Sequence, residues 1–348
     1  MKRYFGILLS LIFLFGFAAV AFSKDISKSK CFFTKSLHYD AHGMAYWYSK
    51  RQNGIEKLVQ IPYKKLPCSY CHVNSCDRCH RRMKKNGNLI YSAKRARSMR
   101  NCLRCHLREK YMLGLIKKTN VPDVHFSKGM RCVNCHKAMD IHGDGKRYVS
   151  MREPGAIKAK CNNCHKEIPK TPSHTVHKNK LDCTACHVQQ TITCANCHMD
   201  TLIKKKKKIA IPLFGWSFLV NYRGKVVSGN IQTFVVGKNR TFLVIAPYFS
   251  HYITKKGKMC SECHGTKIVK DIQKNNSLTI TWIENGKLNN IKGMVPIVEG
   301  VKYKNAFMRY KNGKWIPIKN PKEPLVQFAG FGKPLTKEQL KKLAIKLK

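Results

Sequence analysis

The sequence has few acidic residues. Its 348 residues include 18 Asp and Glu against 67 Lys and Arg, which gives a formal net charge of +49. A chain this basic would ordinarily be expected to bind nucleic acid. The excess is mostly lysine, with an unbroken run at 204–208. The lysine ammonium is a strongly hydrated point charge and does not bind phosphate through two parallel hydrogen bonds as arginine does. The charge alone indicates a surface that attracts acidic proteins, anionic lipid headgroups or small oxyanions.

The N-terminus argues against a nucleic-acid partner, because it predicts export. A basic start precedes an apolar run over residues 5–22, and Ala19 and Ala21 have the spacing of a cleavage site. We predict a signal peptide over residues 1–21 and a periplasmic or cell-envelope location. The alternative is an uncleaved anchor, since about eighteen apolar residues are near the lower limit for a membrane span. No cysteine follows the run closely enough for lipid attachment, so Cys31 is predicted to be a spare thiol.

The sequence has only that one cysteine outside a repeated motif. The other sixteen of its 17 cysteines form eight Cys-x-x-Cys-His units. In chain order the units are Cys68, Cys71 and His72; Cys76, Cys79 and His80; Cys102, Cys105 and His106; Cys132, Cys135 and His136; Cys161, Cys164 and His165; Cys183, Cys186 and His187; Cys194, Cys197 and His198; and Cys260, Cys263 and His264. In such a unit the two thiols add to the vinyl groups of one haem, and the adjacent imidazole binds the iron from the proximal side.

Two other kinds of site use paired cysteines. In zinc ribbons two Cys-x-x-Cys pairs share one tetrahedral metal, and in exported proteins thiols oxidise to disulfides. Neither explains a histidine directly after the second cysteine in all eight units. The repetition therefore predicts eight covalently bound haem c groups, whose propionates compensate part of the positive charge.

The haems also shape the expected fold. Porphyrin faces supply much of the buried apolar surface, so we predict a haem-packed multihaem cytochrome with short helices and little regular secondary structure over 24–200, the seven-haem region. Segments rich in branched and aromatic residues predict a β-rich region over 209–320, which carries the eighth unit. The tail, 321–348, is predicted to contain a short amphipathic helix that opens at Thr336.

Seven of the 15 histidines lie outside the eight units, and each is predicted to bind an iron from the distal side: His38, His42, His125, His142, His174, His177 and His251. Two imidazoles saturate an iron and leave it able only to pass electrons. Seven distal histidines leave one of eight haems with a methionine, a lysine or an open position.

Sequence position suggests where that haem lies. His38 and His42 are four residues apart, so they share one face if the segment is helical, and could serve two different haems. Upstream of His125 the chain has three units but only these two spare histidines. If ligands are mostly local, the unit that ends at His106 is predicted to lack a distal histidine.

With these motifs the chain resembles the octahaem c-type cytochromes and, more loosely, the multihaem group that includes octahaem tetrathionate reductase, hydroxylamine oxidoreductase and pentahaem nitrite reductase. The resemblance rests on the units and spare histidines between residues 38 and 264 and does not cover the β-rich tail. It implies closely stacked haems and one haem with a lysine or open distal site that performs chemistry. All eight units here end in histidine, which departs from the Cys-x-x-Cys-Lys motif common at the nitrite reductase active site. No spacing identifies the tyrosine cross-link of hydroxylamine oxidoreductases.

The expected function is electron transfer by an exported octahaem c-type cytochrome through the cell envelope, in anaerobic or chemolithotrophic respiration. The alternative is an octahaem oxidoreductase that reduces a small sulfur or nitrogen oxyanion at the haem without a distal histidine, so enzyme activity depends on that eighth ligand. A nucleic-acid or anionic-surface binder with structural haem is disfavoured, because eight haems exceed what structure needs. The expected partners are acidic redox proteins, a quinol-side donor, a membrane surface or a small oxyanion, and no nucleic acid.

Overall fold

The computed structural model describes residues 32–39, 41–67 and 73–346. The predicted signal peptide and Cys31 lie outside these residues, and so does the first Cys-x-x-Cys-His unit, which consists of Cys68, Cys71 and His72. Among the residues that the structure describes, no helix is long and apolar enough to cross a membrane.

The part of the chain that carries most of the motifs folds into short helices. The α-helices are α1 His42–Tyr48, α2 Glu56–Val59, α3 Asp77–His80, α4 Ala93–Ala96, α5 Met99–Cys102, α6 Leu107–Ile116, α7 Cys132–Cys135, α8 Ala138–His142, α9 Pro172–Thr175, α10 Cys183–His187 and α11 Met199–Lys205. Three-residue 3-10 helices span Lys50–Gln52, Tyr63–Lys65, Phe126–Lys128 and Cys161–Asn163. A small hairpin pairs β1 Arg81–Met83 with β2 Leu89–Tyr91.

A seven-stranded sheet forms the centre of the molecule. Its strands are β3 Thr191–Ala195, β4 Cys197–His198, β5 Ile211–Tyr222, β6 Lys225–Val236, β7 Arg240–Pro247, β11 Gly293–Pro296 and β15 Leu325–Phe328. The order is β11-β5-β6-β7-β15, with β5, β6 and β7 antiparallel and the two outer strands parallel to their neighbours. β3 pairs with β5, and β4 pairs in parallel with β6.

Smaller pairs surround this sheet. They are β8 Ser277–Thr279 with β12 Lys302–Lys304, β9 Thr281–Glu284 with β10 Lys287–Asn290, and β13 Met308–Lys311 with β14 Lys314–Pro317. The remaining helices are α12 Cys260–Cys263, α13 Lys267–Asn275 and α14 Lys337–Ala344. The turn between β5 and β6 has positive φ at both Arg223 and Gly224, which matches the right-handed twist of the strands it joins.

The main core lies on this sheet. Trp216, Phe218, Ile231 and Ile245 are almost completely buried, and Val269 of α13 packs into the same cluster. The sheet takes β3 and β4 from the predicted seven-haem region and β15 from the predicted tail. The β-rich region therefore shares one sheet with both of its neighbours in the chain.

Candidate haem-binding sites

Six of the seven described units adopt the same backbone turn. In five, the histidine amide donates a hydrogen bond of 2.8–3.0 Å to the carbonyl of the first cysteine, four residues earlier; these histidines are His80, His106, His136, His165 and His264. The sixth unit is the continuous helical turn α10. Residues three and four apart in a helical turn lie on one face, so each turn brings both thiols and the imidazole to the same side.

Each of these six proximal histidines lies against one spare histidine. The ring centroids are 6.1 Å apart for His80–His142 and His136–His251, 6.2 Å for His106–His38, His187–His174 and His264–His177, and 6.3 Å for His165–His125. Every pair joins a histidine of the motif to a histidine outside it. This one-to-one pairing is what six irons with two axial imidazoles each would require.

The ring separations fit an iron between the two imidazoles. An imidazole nitrogen binds a first-row metal at about 2.0 Å and its ring centre lies roughly 1.2 Å further back, so trans imidazoles on one iron have centroids about 6.4 Å apart. The six observed separations fall just below this value. Together with the paired thiols, the donor set therefore fits haem c.

Hydrogen bonds at Nδ1 orient several of these rings. The Nδ1 atoms lie 3.1 Å from Asp140 Oδ2 in His136, 2.7 Å from Glu109 Oε2 in His251, 2.9 Å from Thr254 O in His187, 3.0 Å from Lys342 O in His264 and 2.8 Å from Pro169 O in His174. All five partners are acceptors, so the ring proton resides on Nδ1 and Nε2 presents its lone pair to a metal.

The fourth unit differs because both of its imidazoles face carboxylates. His136 faces Asp140, and His251 faces Glu109, whose other carboxylate oxygen accepts a hydrogen bond from Tyr248. Burial opposes the charge of Glu109, but the hydrogen bonds from His251 and Tyr248 outweigh it and lower the pKa of Glu109. Burial likewise opposes the charge of His251, and the carboxylate of Glu109 raises its pKa.

These two carboxylates were not among the site residues predicted from the sequence. Asp140 could have been found, because it follows His136 by only four residues in the sequence. Glu109 could not, because it is far from His251 in the sequence.

Other paired histidines are held neutral by burial. Burial, with a contribution from the nearby His106, lowers the pKa of His38 to about 4. Burial also lowers the pKa of His106, His142 and His177. A neutral imidazole is the form that binds a metal, so these rings are ready as ligands at neutral pH.

The third unit, formed by Cys102, Cys105 and His106, was expected to lack a distal histidine. The structure contradicts this expectation, because His38 lies opposite His106. The expectation failed because it assumed that ligands come from nearby sequence, whereas tertiary packing brings His38 across to this unit.

The prediction for His42 is also not supported. His38 and His42 do not share a helix, since α1 begins only at His42. The Nδ1 and Nε2 atoms of His42 lie 3.2 Å from Tyr39 O and 2.7 Å from Tyr148 O. Both ring nitrogens thus face backbone carbonyls, and this placement gives no support to His42 as a ligand.

The seventh unit, formed by Cys194, Cys197 and His198, has a different geometry. Its cysteines lie on β3 and β4 rather than in a helical turn. The Nδ1 atom of His198 lies 2.7 Å from Thr201 Oγ1, and no described histidine ring is paired with that of His198.

The first unit stays a prediction from the sequence. Its two thiols, Cys68 and Cys71, and its proximal ligand, His72, lie outside the described residues, so the structure does not place them. Of the eight predicted units, six therefore share one geometry, the seventh departs from it, and the first is not described.

Thiols of different units influence one another's pKa. Interaction with Cys132 raises the pKa of Cys102, and interaction with Cys183 raises the pKa of Cys161. Burial, with electrostatic repulsion from a thiol of another unit, raises the pKa of Cys79, Cys135 and Cys186. Each of these interactions joins one of the six matching units to the next.

A similarity to a known protein covers half of the chain. The chain is similar to a dissimilatory sulfite reductase. This protein, MccA of Wolinella succinogenes, is 23% identical to it over 205 residues, which cover 50% of this chain and 29% of MccA. The chain thus spans less than a third of the length of this relative. The similarity loosely supports a place among multihaem c-type cytochromes and leaves the number of haems unconfirmed.

No protein-family model matches the chain, and no solved structure shows significant similarity to it. Among the described residues, no disulfide joins two cysteines, and no group of three His, Cys, Asp or Glu side chains forms a metal site.

Proposed function

We propose that the chain is a multihaem c-type cytochrome that transfers electrons, and that the six histidine pairs are the axial ligands of six haems. The observation that carries this proposal is the pairing of each motif histidine with one spare histidine at 6.1–6.3 Å. When bound, haem supplies reversible one-electron chemistry at its iron. Two histidines on one iron leave no coordination position for a substrate, which favours electron transfer at these six sites.

The order of the units supports a continuous path. A thioether joins each cysteine directly to the edge of its porphyrin. The interactions of Cys102 with Cys132 and of Cys161 with Cys183 therefore support a path in which haems of neighbouring units would be attached close together. One distal histidine also links separate units, because His142 follows the fourth unit in the chain and lies against His80 of the second.

The proposal also covers the cellular location of the protein and its redox partners. We place the protein outside the cytoplasm, where it carries electrons through the cell envelope in respiration between a quinol-side donor and a terminal acceptor. Its excess of Lys and Arg over Asp and Glu would attract acidic redox partners and raise their association rate at low salt.

Low-temperature EPR of the oxidised holoprotein tests this function. We expect low-spin ferric signals that integrate to at least six haems and do not change when sulfite, nitrite or tetrathionate is added. A spectrum dominated by high-spin haem would contradict the ligand assignment, because it would show that the histidine pairs do not bind iron.

A second candidate is reduction of sulfite, which the similarity to MccA favours. It requires an iron outside the six histidine pairs, with a position open to the oxyanion. A high-spin signal near one haem that shifts with sulfite, together with sulfite-dependent oxidation of reduced viologen, would support it. Absence of both responses would leave electron transfer as the function.

A further inference from the structure

We propose that the seventh Cys-x-x-Cys-His motif, formed by Cys194, Cys197 and His198, is a structural element of the central sheet and not a haem attachment site. By sequence the motif is identical in form to the other seven. In the structure its backbone, its burial and the environment of its histidine all differ from those of the six units with paired histidines.

The backbone of this motif is extended. Cys194 lies in β3 opposite Pro212, and Cys197 lies in β4 opposite Phe234. Asn196, between them, has a φ of 52°. The His198 amide donates to Ile209 O at 3.0 Å and not to the carbonyl of Cys194. The helical turn that presents two thiols and an imidazole on one side is therefore absent from this motif.

The motif is also enclosed by protein. Cys197 is 2% exposed, and it alone among the described motif cysteines is buried. Asn196 is fully buried, and its backbone N–H donates to Thr233 Oγ1 at 2.8 Å. A porphyrin bound to Cys197 would have to displace strand pairing and this hydrogen bond, each of which leaves buried polar groups unsatisfied.

His198 has a structural role at the start of α11. Its side chain accepts a hydrogen bond from the Thr201 amide at 3.3 Å, and its Nδ1 lies 2.7 Å from Thr201 Oγ1. At Nδ1 His198 thus accepts from a backbone amide of its own helix, whereas the Nδ1 atoms of His136, His187 and His264 face carboxylate or carbonyl acceptors.

The number of histidines agrees with this assignment. Six units have the helical turn, and six of the seven spare histidines are paired with them. The seventh, His42, has its ring nitrogens 3.2 Å from Tyr39 O and 2.7 Å from Tyr148 O, and among the described residues no histidine ring is paired with that of His198. The inference rests on the proposed haem binding of those six units. The experiment below distinguishes haem attached at the seventh unit from haem missing at the sixth.

Peptide mapping of the holoprotein decides the question. The sequence has no Lys or Arg between Lys180 and Lys204, so trypsin releases the sixth and seventh units together as residues 181–204. The sixth unit therefore serves as an internal standard. We expect mass spectrometry to show one haem on this peptide, at Cys183 and Cys186. Two haems would overturn the inference, whereas none would instead contradict the haem assignment of the sixth unit.

A pair of matched double variants gives a second readout. The variant that combines Cys194→Ser with Cys197→Ser should keep the full haem content per chain in a pyridine haemochrome assay. The variant that combines Cys183→Ser with Cys186→Ser should lose one haem. Loss of one haem from a folded protein with the first pair of substitutions would overturn the inference. If that variant fails to fold, the peptide map of the natural chain still decides.

Discussion

Replacement of Glu109 by glutamine should raise the reduction potential of the fourth haem. The Glu109 carboxylate lies 2.7 Å from Nδ1 of His251, the proposed distal ligand opposite His136. Its negative charge stabilises the ferric state relative to the ferrous state, because the ferric state carries one more positive charge. A carboxylate at Nδ1 also makes the imidazole a stronger donor to the metal.

The size of the effect follows from the geometry. Nδ1 of a metal-bound imidazole lies about 4 Å from the metal, so the carboxylate would lie roughly 6.5 Å from the iron. At an effective dielectric constant of about 20, a unit charge at that distance contributes about 2.5 kcal/mol. The hydrogen bond alone contributes about 1 kcal/mol. About 1.4 kcal/mol corresponds to 59 mV for one electron. The reduction potential of the fourth haem should therefore be about 40 to 100 mV higher in Glu109→Gln than in the natural protein.

Spectroelectrochemical titration of the holoprotein measures this shift. One one-electron component, among the most negative, should move upward in Glu109→Gln, and Asp140→Asn should move the same component through His136. Glu284→Gln is the control and should leave the curve unchanged, because the Glu284 carboxylate accepts a hydrogen bond from Asn289 and none from a motif or spare histidine. A Glu109→Gln curve that overlays the natural one, at equal haem content, would refute the assignment of His251 as a ligand.

Two further predictions concern a ligand and a pH-dependent ion pair. His174→Ala should convert one low-spin haem to high spin in EPR, whereas His42→Ala should convert none; equal effects would contradict the pairing of His174 with His187. The hydrogen bond from Lys158 is the main cause that lowers the pKa of Asp144 from 3.8 to about 2. The ionised Asp144 therefore stabilises the fold above pH 3.8, and this contribution is lost as the pH falls towards 2. Asp144→Asn should therefore cost about 1 kcal/mol of unfolding free energy at pH 7, after allowance for solvent screening, and much less near pH 2; a deficit that is constant with pH would contradict this cause.

Local features of the fold could be predicted from the sequence, because turn and cap chemistry depends on neighbouring residues. Arg223 and Gly224 form the turn between β5 and β6, and a glycine between two runs of branched and aromatic residues is a sequence signal of such a turn. Thr336 caps α14, and its side chain accepts the Gln339 amide at 3.1 Å while the Gln339 side chain accepts the Thr336 amide at 2.8 Å. Such reciprocal caps have a fixed spacing in the sequence.

The partners of the motif histidines could not be predicted in this way. The rule that ligands are local assigned the odd haem to the unit at His106, and it was wrong because His38 crosses to that unit. His142 in turn lies against His80, in a unit upstream of it. Tertiary packing brings these rings together, and no spacing in the sequence records it.

The seventh motif shows a different limit of prediction from the sequence. A Cys-x-x-Cys-His pattern states which groups are available, and in six of the described units a helical turn brings them to one side. The residues before this motif, Thr191, Ile192 and Thr193, are β-branched and favour a strand that runs into Cys194. That local preference is the one signal in the sequence that distinguishes this unit from the others.

The β-rich region, whose role could not be placed from the sequence, orients several of the proposed ligands. The segment after β7 connects two units to the sheet. The Ile253 amide donates to Asp123 Oδ2 at 2.7 Å, beside the ligand His125. Thr254 exchanges hydrogen bonds with His187, accepting from Nδ1 at 2.9 Å and donating to the backbone carbonyl at 3.0 Å.

The end of the chain provides the same support to the eighth unit, because the carbonyl of Lys342 in α14 accepts from Nδ1 of His264 at 3.0 Å. α14 in turn packs on the sheet core through Leu340, which is 8% exposed. A ligand held by a backbone carbonyl keeps its orientation only if that backbone is itself rigid. A strongly hydrogen-bonded sheet provides this rigidity, which short helices joined by loops do not. The central sheet therefore supports the segments that orient these rings, in a region built mainly of short helices.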